Sequence, residues 1–459
     1  MATKTISLDP VSRIEGHLRI DLDIQDNVVQ SARSSGTSFR GFEPILVKRD
    51  PRDAPHITQR ICGVCPVPQA RASVAAFEAA AHLEVNNQAR LIRNLLEAVN
   101  FIDSHLLHFY LLTLPDFVAG LPTAGPWPTG QAPKVWENRK GIDAAGFVQR
   151  QVSALAIRRE CNGVGALLGG KIPHQVGIVT GGATSSVTAD VKSTLAGLVA
   201  KIADFVKNTY PGDVESIVYA FPEYLDIGAS GADFLSFGGY PEQDGSLLFA
   251  RGLVRAGKTK LEAFDPSQIT ESVAHSKYDA DTARNPANGV TLPNRTRPDS
   301  YSWSKAPRVS GSVCEVGPLA RSVVGGIGFG ERGVHARHLA RVAEANRLAS
   351  RMADWVSGLE VGMSACPVFP KPPVTGQGIG LVEAPRGALG HWLAIEESVI
   401  SRYQVISPTT WNGSPRDDAN QPGPLEKALE GVTVADPQDP IEVVRIIHSF
   451  DPCLQCAVH

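Results

Sequence analysis

Two Cys-x-x-Cys pairs, Cys62-Gly-Val-Cys65 and Cys453-Leu-Gln-Cys456, stand at opposite ends of a 459-residue chain. If the two pairs act together, the fold must carry its first and last segments to one interior point. A zinc ribbon brings its pairs within roughly 15–20 residues of each other, and a thioredoxin-type site needs only one pair inside a βαβ pattern that is not visible here. Spacing alone leaves open a structural zinc site of four thiolates, two unrelated pairs, or a catalytic centre of a softer metal. The seven cysteines are too few and too odd in number for a disulfide scaffold.

The rest of the pattern predicts helices around such a point. Ile92, Leu95, Leu96, Val99, Ile102, Leu106, Phe109 and Tyr110 step by three and four, giving one long apolar stripe. Val187, Val191, Leu195, Leu198, Ile202 and Phe205 form a second, and Leu339, Val342, Leu348, Met352 and Trp355 a third. Stripes of this length must pack on one another, which predicts a central helix bundle. Leu18, Ile20, Leu22 and Ile24 alternate with polar residues as a strand does, and Asp26-Asn27 turns that strand into a hairpin. Residues 210–310 read as loop-rich. No repeat or long linker divides the chain, so the expected class is mainly α (α+β): one large domain over 1–459, with a central bundle of long helices and peripheral β-hairpins and loops.

Composition removes several functions. Charged residues are 20% and the net charge is −3, too weak a field to draw nucleic acid or an acidic membrane. No apolar run reaches the ~18 residues of a spanning helix. Residues Met1–Pro10 carry neither signal-peptide features nor a twin-arginine pair, so a cytoplasmic protein is expected, or one associated with a membrane through its partners. The Gly-x-Gly-x-Gly runs at 326–330 and 376–380 lack the nucleotide-binding spacing and read as turns. Cys161, Cys314 and Cys366 are too scattered for an iron–sulfur cluster. His56, His82, His105, His108, His335 and His338 read as core or surface histidines.

Short polar clusters accompany the two pairs: Arg13-Ile-Glu15-Gly-His17, Arg40-Gly-Phe-Glu43 and Glu383-Ala-Pro-Arg386-Gly. Four thiolates gathered at the centre of the bundle would select a thiophilic metal such as zinc, copper, nickel or iron. A catalytic site also needs an open coordination position and a proton path, which a Glu and an Arg near the metal would suit.

These segments resemble the large subunit of nickel–iron hydrogenases, nearly from end to end. The resemblance is carried by Arg13–His17, Arg60-Ile-Cys-Gly-Val-Cys65, His105-Leu-Leu-His-Phe-Tyr110 and Gly169-Gly-Lys-Ile-Pro-His174. It continues through Val316-Gly-Pro-Leu-Ala-Arg321, Glu383-Ala-Pro-Arg-Gly-Ala-Leu389, Pro408-Thr-Thr-Trp-Asn412 and Asp451-Pro-Cys-Leu-Gln-Cys-Ala-Val-His459. The resemblance implies a Ni-Fe(CN)2(CO) centre that cleaves dihydrogen heterolytically into protons and electrons. Cys62 and Cys453 would be terminal thiolates on nickel, and Cys65 and Cys456 would bridge nickel to iron. Glu15 resembles the proton-relay carboxylate. Arg386 resembles the guanidinium over the open face, held by Asp116 and Asp451 with Pro385 beside it, and Thr409 would donate to a cyanide. Glu43, His459 and the main-chain carbonyl of Val405 resemble ligands of a second metal, magnesium or iron. With no further cofactor motif in the chain, the electrons require a small subunit carrying iron–sulfur clusters, giving a heterodimer or a dimer of heterodimers.

One position departs from the pattern. Most relatives would carry His four residues after the second cysteine of the first pair, where this chain has Gln69. Together with the absence of residues beyond His459, this resembles the dihydrogen-sensing branch, which reports to a histidine kinase. Val64 and Leu112 are of ordinary size for a gas channel, which does not match the bulkier residues of sensors. The alternatives are a respiratory uptake hydrogenase feeding quinone or another acceptor, and a non-catalytic zinc-binding structural subunit. The ending at His459 implies either that an extension was removed after nickel insertion or that none was made.

Overall fold

A computed structural model describes residues 4–119, 121, 139, 141–279, 284–328, 332–366 and 369–459. Helix accounts for 43% and strand for 21% of the described residues, in keeping with the expected α+β class. The three apolar stripes are helical over most of their length, although Phe109 and Tyr110 fall in a wider turn past the first helix and Val187 lies just ahead of the helix that carries the second. The first lies on α2 (Asn87–Leu107), which follows α1 (Pro66–Ala80) and is followed by α3 (Ala144–Gly169). The second and third lie on α4 (Ala189–Asn208) and α5 (Val334–Gly358). Asn86 and Thr188 cap α2 and α4 through their side chains, each accepting from a backbone N–H of the first turn. The helices α2, α3, α4 and α5 pack together as a bundle around Leu95, Ile102, Val164, Ile202, Leu348 and Trp355.

The amino-terminal strands β1 (Lys4–Leu8), β2 (Leu18–Gln25) and β3 (Val28–Gly36) form an antiparallel meander. Asp26 and Asn27 turn β2 into β3 with positive φ values, the backbone that a tight hairpin demands. The stretch expected to be loop-rich holds more order than its composition suggested. It contains a helix at Tyr210–Ala220 and an antiparallel pair, β4 (Asp233–Pro241) and β5 (Leu247–Val254). Gly238, Gly239 and Pro241 interrupt the alternation that would otherwise have marked the first of these strands.

The carboxyl-terminal third supplies a second sheet of β6 (Gly376–Ala384), β7 (Gly387–Glu396) and β8 (Val399–Ile406), and then α6 (Ile441–Phe450). The run Gly376-Gln-Gly-Ile-Gly380 is therefore strand, where turns were expected. A Cβ at Gly378 would stand 1.9 Å from the carbonyl oxygen of Ala76, and one at Gly380 equally close to that of Ala72. The strand lies directly on the backbone of α1, whose facing residues Ala72, Ala76 and Ala80 are also small. This contact fixes α1, and hence the adjoining Cys65, against the strand that ends just before Arg386.

The four cysteines belong to the apolar cluster between α1 and β6–β8, with Phe77, Leu389, Leu393 and Tyr403. The centre of the helix bundle, where they were expected, is filled by aliphatic and aromatic side chains instead. Among the described residues, no helix is long and apolar enough to cross a membrane.

Candidate metal centre

Cys62 lies in an extended link and Cys65 caps α1, whose first turn is started by Pro66. The other pair follows α6. Asp451 ends that helix with a left-handed backbone, and Cys453 precedes the short helix Leu454–Ala457. The two ends of the chain are joined by main-chain contacts, since Glu15 pairs with Cys453 and the Leu454 N–H donates to the Glu15 carbonyl at 2.7 Å. Arg40 clamps both pairs at once: its guanidinium donates to the carbonyls of Arg60 and Ile61 ahead of Cys62, and to that of Gln455 ahead of Cys456.

The result is four buried sulfur atoms within 4.8 Å of one another. Cys62 and Cys453 approach to 3.4 Å, Cys65 and Cys456 to 3.2 Å, and Cys453 and Cys456 to 3.1 Å. So many buried thiolates cannot all carry charge without a cation among them. Hydrogen bonding from the neighbouring thiols holds Cys62 well below the ordinary thiol range, while burial pushes Cys453 and Cys456 well above it. Soft donors, burial and crowding all fit a thiophilic metal.

Around the sulfurs stand most of the groups picked out from sequence. Arg386 donates from Nε to the Asp451 carbonyl and from Nη2 to its carboxylate, both at 2.9 Å, with the Ser104 hydroxyl at 3.5 Å. Burial opposes its charge, but Asp451 and the thiolates of Cys453, Cys65 and Cys62 outweigh that and raise its pKa well above the ordinary value. Glu15 is raised as well, first by burial and then by the negative charge of Cys62. The Thr409 hydroxyl oxygen accepts the Cys453 N–H at 2.9 Å, which leaves its own proton to be donated elsewhere. Gln69 points its amide nitrogen at the Cys456 sulfur, 4.0 Å away.

Asp116 is used differently from expectation. Asp116 bonds Arg13 and His448, and its main-chain carbonyl takes Arg445; Arg386 is held by Asp451 and Ser104 instead. The reason is proximity: Asp116 ends the distorted helical turn after α2, against the start of the chain and α6. Its indirect link to the centre runs through His448, three residues ahead of Asp451. At Val405 the N–H rather than the carbonyl reaches Glu43, donating at 2.8 Å. His459 lies 3.3 Å from the same Glu43 oxygen and bonds the Cys456 carbonyl through Nδ1 at 2.6 Å. If Nδ1 carries the proton in that bond, Nε2 of the neutral ring is a lone pair facing a carboxylate, a pairing that calls for a proton or a cation between them. Burial pushes the Glu43 carboxyl up, yet Lys305, His459 and Thr291 together bring it down to about 2.

Sequence reasoning missed Arg321, whose guanidinium donates to the carbonyls of Ala384 and Pro385, each at 2.9 Å, and so holds the backbone before Arg386. Its motif was visible, but the two carbonyls lie more than sixty positions away. It also missed His391 and Tyr403, where nothing in the strand pattern distinguishes them from ordinary sheet residues. A cavity of about 200 Å³ adjoins the first pair, lined by Val64, Val67, Leu96 and Val99 together with Asp103 and Arg158.

Fold and site together define a metalloprotein whose buried thiolate cluster, flanked by a guanidinium and a carboxyl group, suits redox chemistry on a small molecule. The family profile described as nickel-dependent hydrogenase matches residues 40–124, 144–329 and 330–459, and one described as HoxL-like matches 5–39. The chain belongs to the nickel-dependent hydrogenase family. It is 37% identical to the periplasmic [NiFeSe] hydrogenase large subunit of Desulfomicrobium baculatum, over 99% of this chain and 94% of that one. It is 34% identical to the hydrogenase-2 large chain of Escherichia coli K12, over 100% and 97%. It is 32% identical to the uptake hydrogenase large subunit of Bradyrhizobium diazoefficiens, over 99% and 95%. The Ni-Fe-Se hydrogenase of Desulfovibrio vulgaris Hildenborough, in its as-isolated oxidized state, superposes with a TM-score of 0.95 at 37% identity, covering all of both chains. The selenium in those names has no counterpart here, where all four clustered side chains are cysteine. None of these relatives is named a sensor, and the first is named periplasmic, so neither the sensing branch nor a cytoplasmic location gains support from them.

Proposed function

We propose that residues 1–459 work as one domain that oxidises dihydrogen at a nickel–iron centre in the manner of an uptake hydrogenase. The observation that carries this is the cluster of four buried sulfurs with Arg386 on one side and Glu15 on another. When bound, a nickel–iron centre with cyanide and carbonyl ligands supplies the cleavage of dihydrogen and takes up its two electrons. Cys62, Cys65, Cys453 and Cys456 would hold that centre through their four sulfurs. The chain's own groups do the rest. Arg386, tied to Asp451, keeps a fixed positive charge facing the thiolates. Glu15, beside Cys62, takes the proton at its carboxylate and hands it outward; its raised pKa brings proton uptake and release into balance. Thr409, whose hydroxyl proton is left to be donated, and Pro385, whose carbonyl is fixed by Arg321, would border that group.

Glu43 and His459 suit a magnesium ion, which would replace the proton their facing atoms otherwise need. The electrons leave through an iron–sulfur small subunit, the partner class implied by the hydrogenase relatives. That partner also decides the compartment.

A sensing role is the second reading, favoured by Gln69 alone. Infrared spectra of the purified heterodimer test the first: cyanide and carbonyl bands, one nickel per heterodimer with iron in excess from the partner's clusters, and rapid hydrogen-dependent dye reduction are expected. Zinc in place of nickel would establish the structural-subunit alternative. Slow turnover together with binding to a histidine kinase would favour the sensor.

A further inference from the structure

Gln69 is held by a buried chain of side chains that no metal ligand requires. Its Oε1 lies 2.9 Å from Nε2 of His391, whose Nδ1 lies 2.7 Å from the Tyr403 hydroxyl, which in turn lies 3.0 Å from the Ser73 hydroxyl. Gln69, His391, Tyr403 and Ser73 are all buried. An amide can present either end to a neighbour, and the two ends differ fully in effect: N–H stabilises an electron-rich sulfur, whereas C=O repels it. Something must choose between them.

We propose that His391 and Tyr403 are positioning residues that lock the Gln69 side chain with its N–H toward the Cys456 sulfur. Burial brings His391 down to about 3, so the ring is neutral and has one N–H to give. With that proton on Nε2, Gln69 must offer its oxygen to the ring, and its nitrogen faces Cys456. With the proton on Nδ1, the order reverses and the carbonyl oxygen turns toward the sulfur. The Tyr403 hydroxyl has one proton and two acceptors, Nδ1 at 2.7 Å and the Ser73 hydroxyl at 3.0 Å; the imidazole nitrogen is the nearer and the stronger base, so the phenol proton goes to Nδ1 and selects the first state. With Nδ1 accepting, the row from Tyr403 through His391 to Gln69 runs in one direction and ends as an N–H donor to sulfur. The chain thereby places on one of the thiolates read as bridging a neutral donor whose direction is set three side chains away.

The inference rests on the cysteines being metal thiolates, and its test separates the two claims. The carbonyl and cyanide stretching bands of the loaded heterodimer report electron density at the centre, independently of turnover. Gln69→Leu removes the donor and is expected to move the carbonyl band to lower wavenumber. His391→Leu is expected to move it the same way, and the double variant no further than Gln69→Leu alone, because the two residues act as one unit. Nitrogen-15 NMR of histidine-labelled protein is expected to show His391 protonated on Nε2 in the wild type and as a mixture of tautomers in Tyr403→Phe. A wild-type band position in His391→Leu, shifts that add in the double variant, or an Nδ1-protonated His391 in the wild type would each overturn the proposal. Wild-type protein without cyanide and carbonyl bands would instead remove the nickel–iron reading beneath it.

Discussion

Replacing Arg321 with methionine tests how the chain holds Arg386 in place. Arg321 is buried, and all five of its N–H bonds are used: two go to Glu344 at 2.6 and 2.8 Å, one to Glu383, and one each to the carbonyls of Ala384 and Pro385. Methionine fills much of the volume but leaves two buried carboxylates short of a cation. Glu344 keeps His105 at 2.8 Å, and Glu383 keeps the Phe237 N–H at 2.6 Å. Breaking a buried pair from one side costs about 3–5 kcal/mol. Unfolding entropy scales at roughly 2.1 cal/mol/K per residue, so 1 kcal/mol is worth only about 1 °C in a chain this long, and the expected fall in Tm is about 3–5 °C. The sign with pH follows from the two carboxyls. Burial opposes the charge of Glu344, but Arg321 and His105 outweigh it and hold its pKa below the ordinary value; at Glu383 burial wins and the pKa is raised. Without Arg321 both rise, and a raised folded pKa removes stability as pH increases. The deficit should therefore be larger at pH 8 than at pH 5, read as melting temperature by circular dichroism at matched metal content. Hydrogen-dependent dye reduction at a temperature where the variant is fully folded should fall by about tenfold or more, since the backbone carrying Arg386 has lost two donors. A variant that melts within about 1 °C of wild type, or one whose deficit grows in acid, would refute the reasoning.

Three further outcomes are expected. Gly378→Ala puts a methyl group on the Ala76 carbonyl and must separate β6 from α1, so thermal melting and nickel analysis should show a loss of about 2–3 kcal/mol together with lower metal content. Glu426 is buried and pushed up to about 7 by burial, which outweighs its bonds from the Ser34 N–H and the Tyr301 hydroxyl. Because its folded pKa lies above the unfolded value, its ionisation costs stability above neutral pH, and Glu426→Gln should be more stable than wild type at pH 8 by up to about 3 kcal/mol, with the gain vanishing near pH 4. Glu15→Gln should retain nickel and iron by elemental analysis while losing about 10²-fold or more in hydrogen oxidation, and unchanged turnover would remove Glu15 from the proton path.

Much of this architecture was readable because its signals are local. The stripes of α2, α4 and α5 repeat within a single helix, and Asp26-Asn27 specifies its own turn. The cysteine pairs and the Arg386 segment were legible as motifs. What escaped depends on a partner distant in sequence. Gly376, Gly378 and Gly380 look like turn residues until Ala72, Ala76 and Ala80 are placed against them; with both surfaces known, the missing side chains are what allows a strand to lie on a helix backbone. Asp116 offered no means of choosing between Arg386 and Arg13, because the choice is made by where the end of α2 meets α6.

The placement of the cysteines between α1 and the β6–β8 sheet, outside the bundle, follows from the same reasoning and has a consequence for assembly. The helix bundle closes largely through contacts among its own stripes, with the amino-terminal strands and Leu454 and Ala457 joining its edge. The metal-binding layer cannot close that way, because half of its sulfurs arrive on the segment Asp451–His459, whose Phe42–His459 and Arg40–Val458 main-chain bonds run to the first fifty residues. Four crowded thiols resist being brought together unless a cation or shared protons compensate them. A bound cation would therefore tie the two ends of the chain, and the clamp of Arg40 across both cysteine pairs is the protein's own contribution to holding that closure.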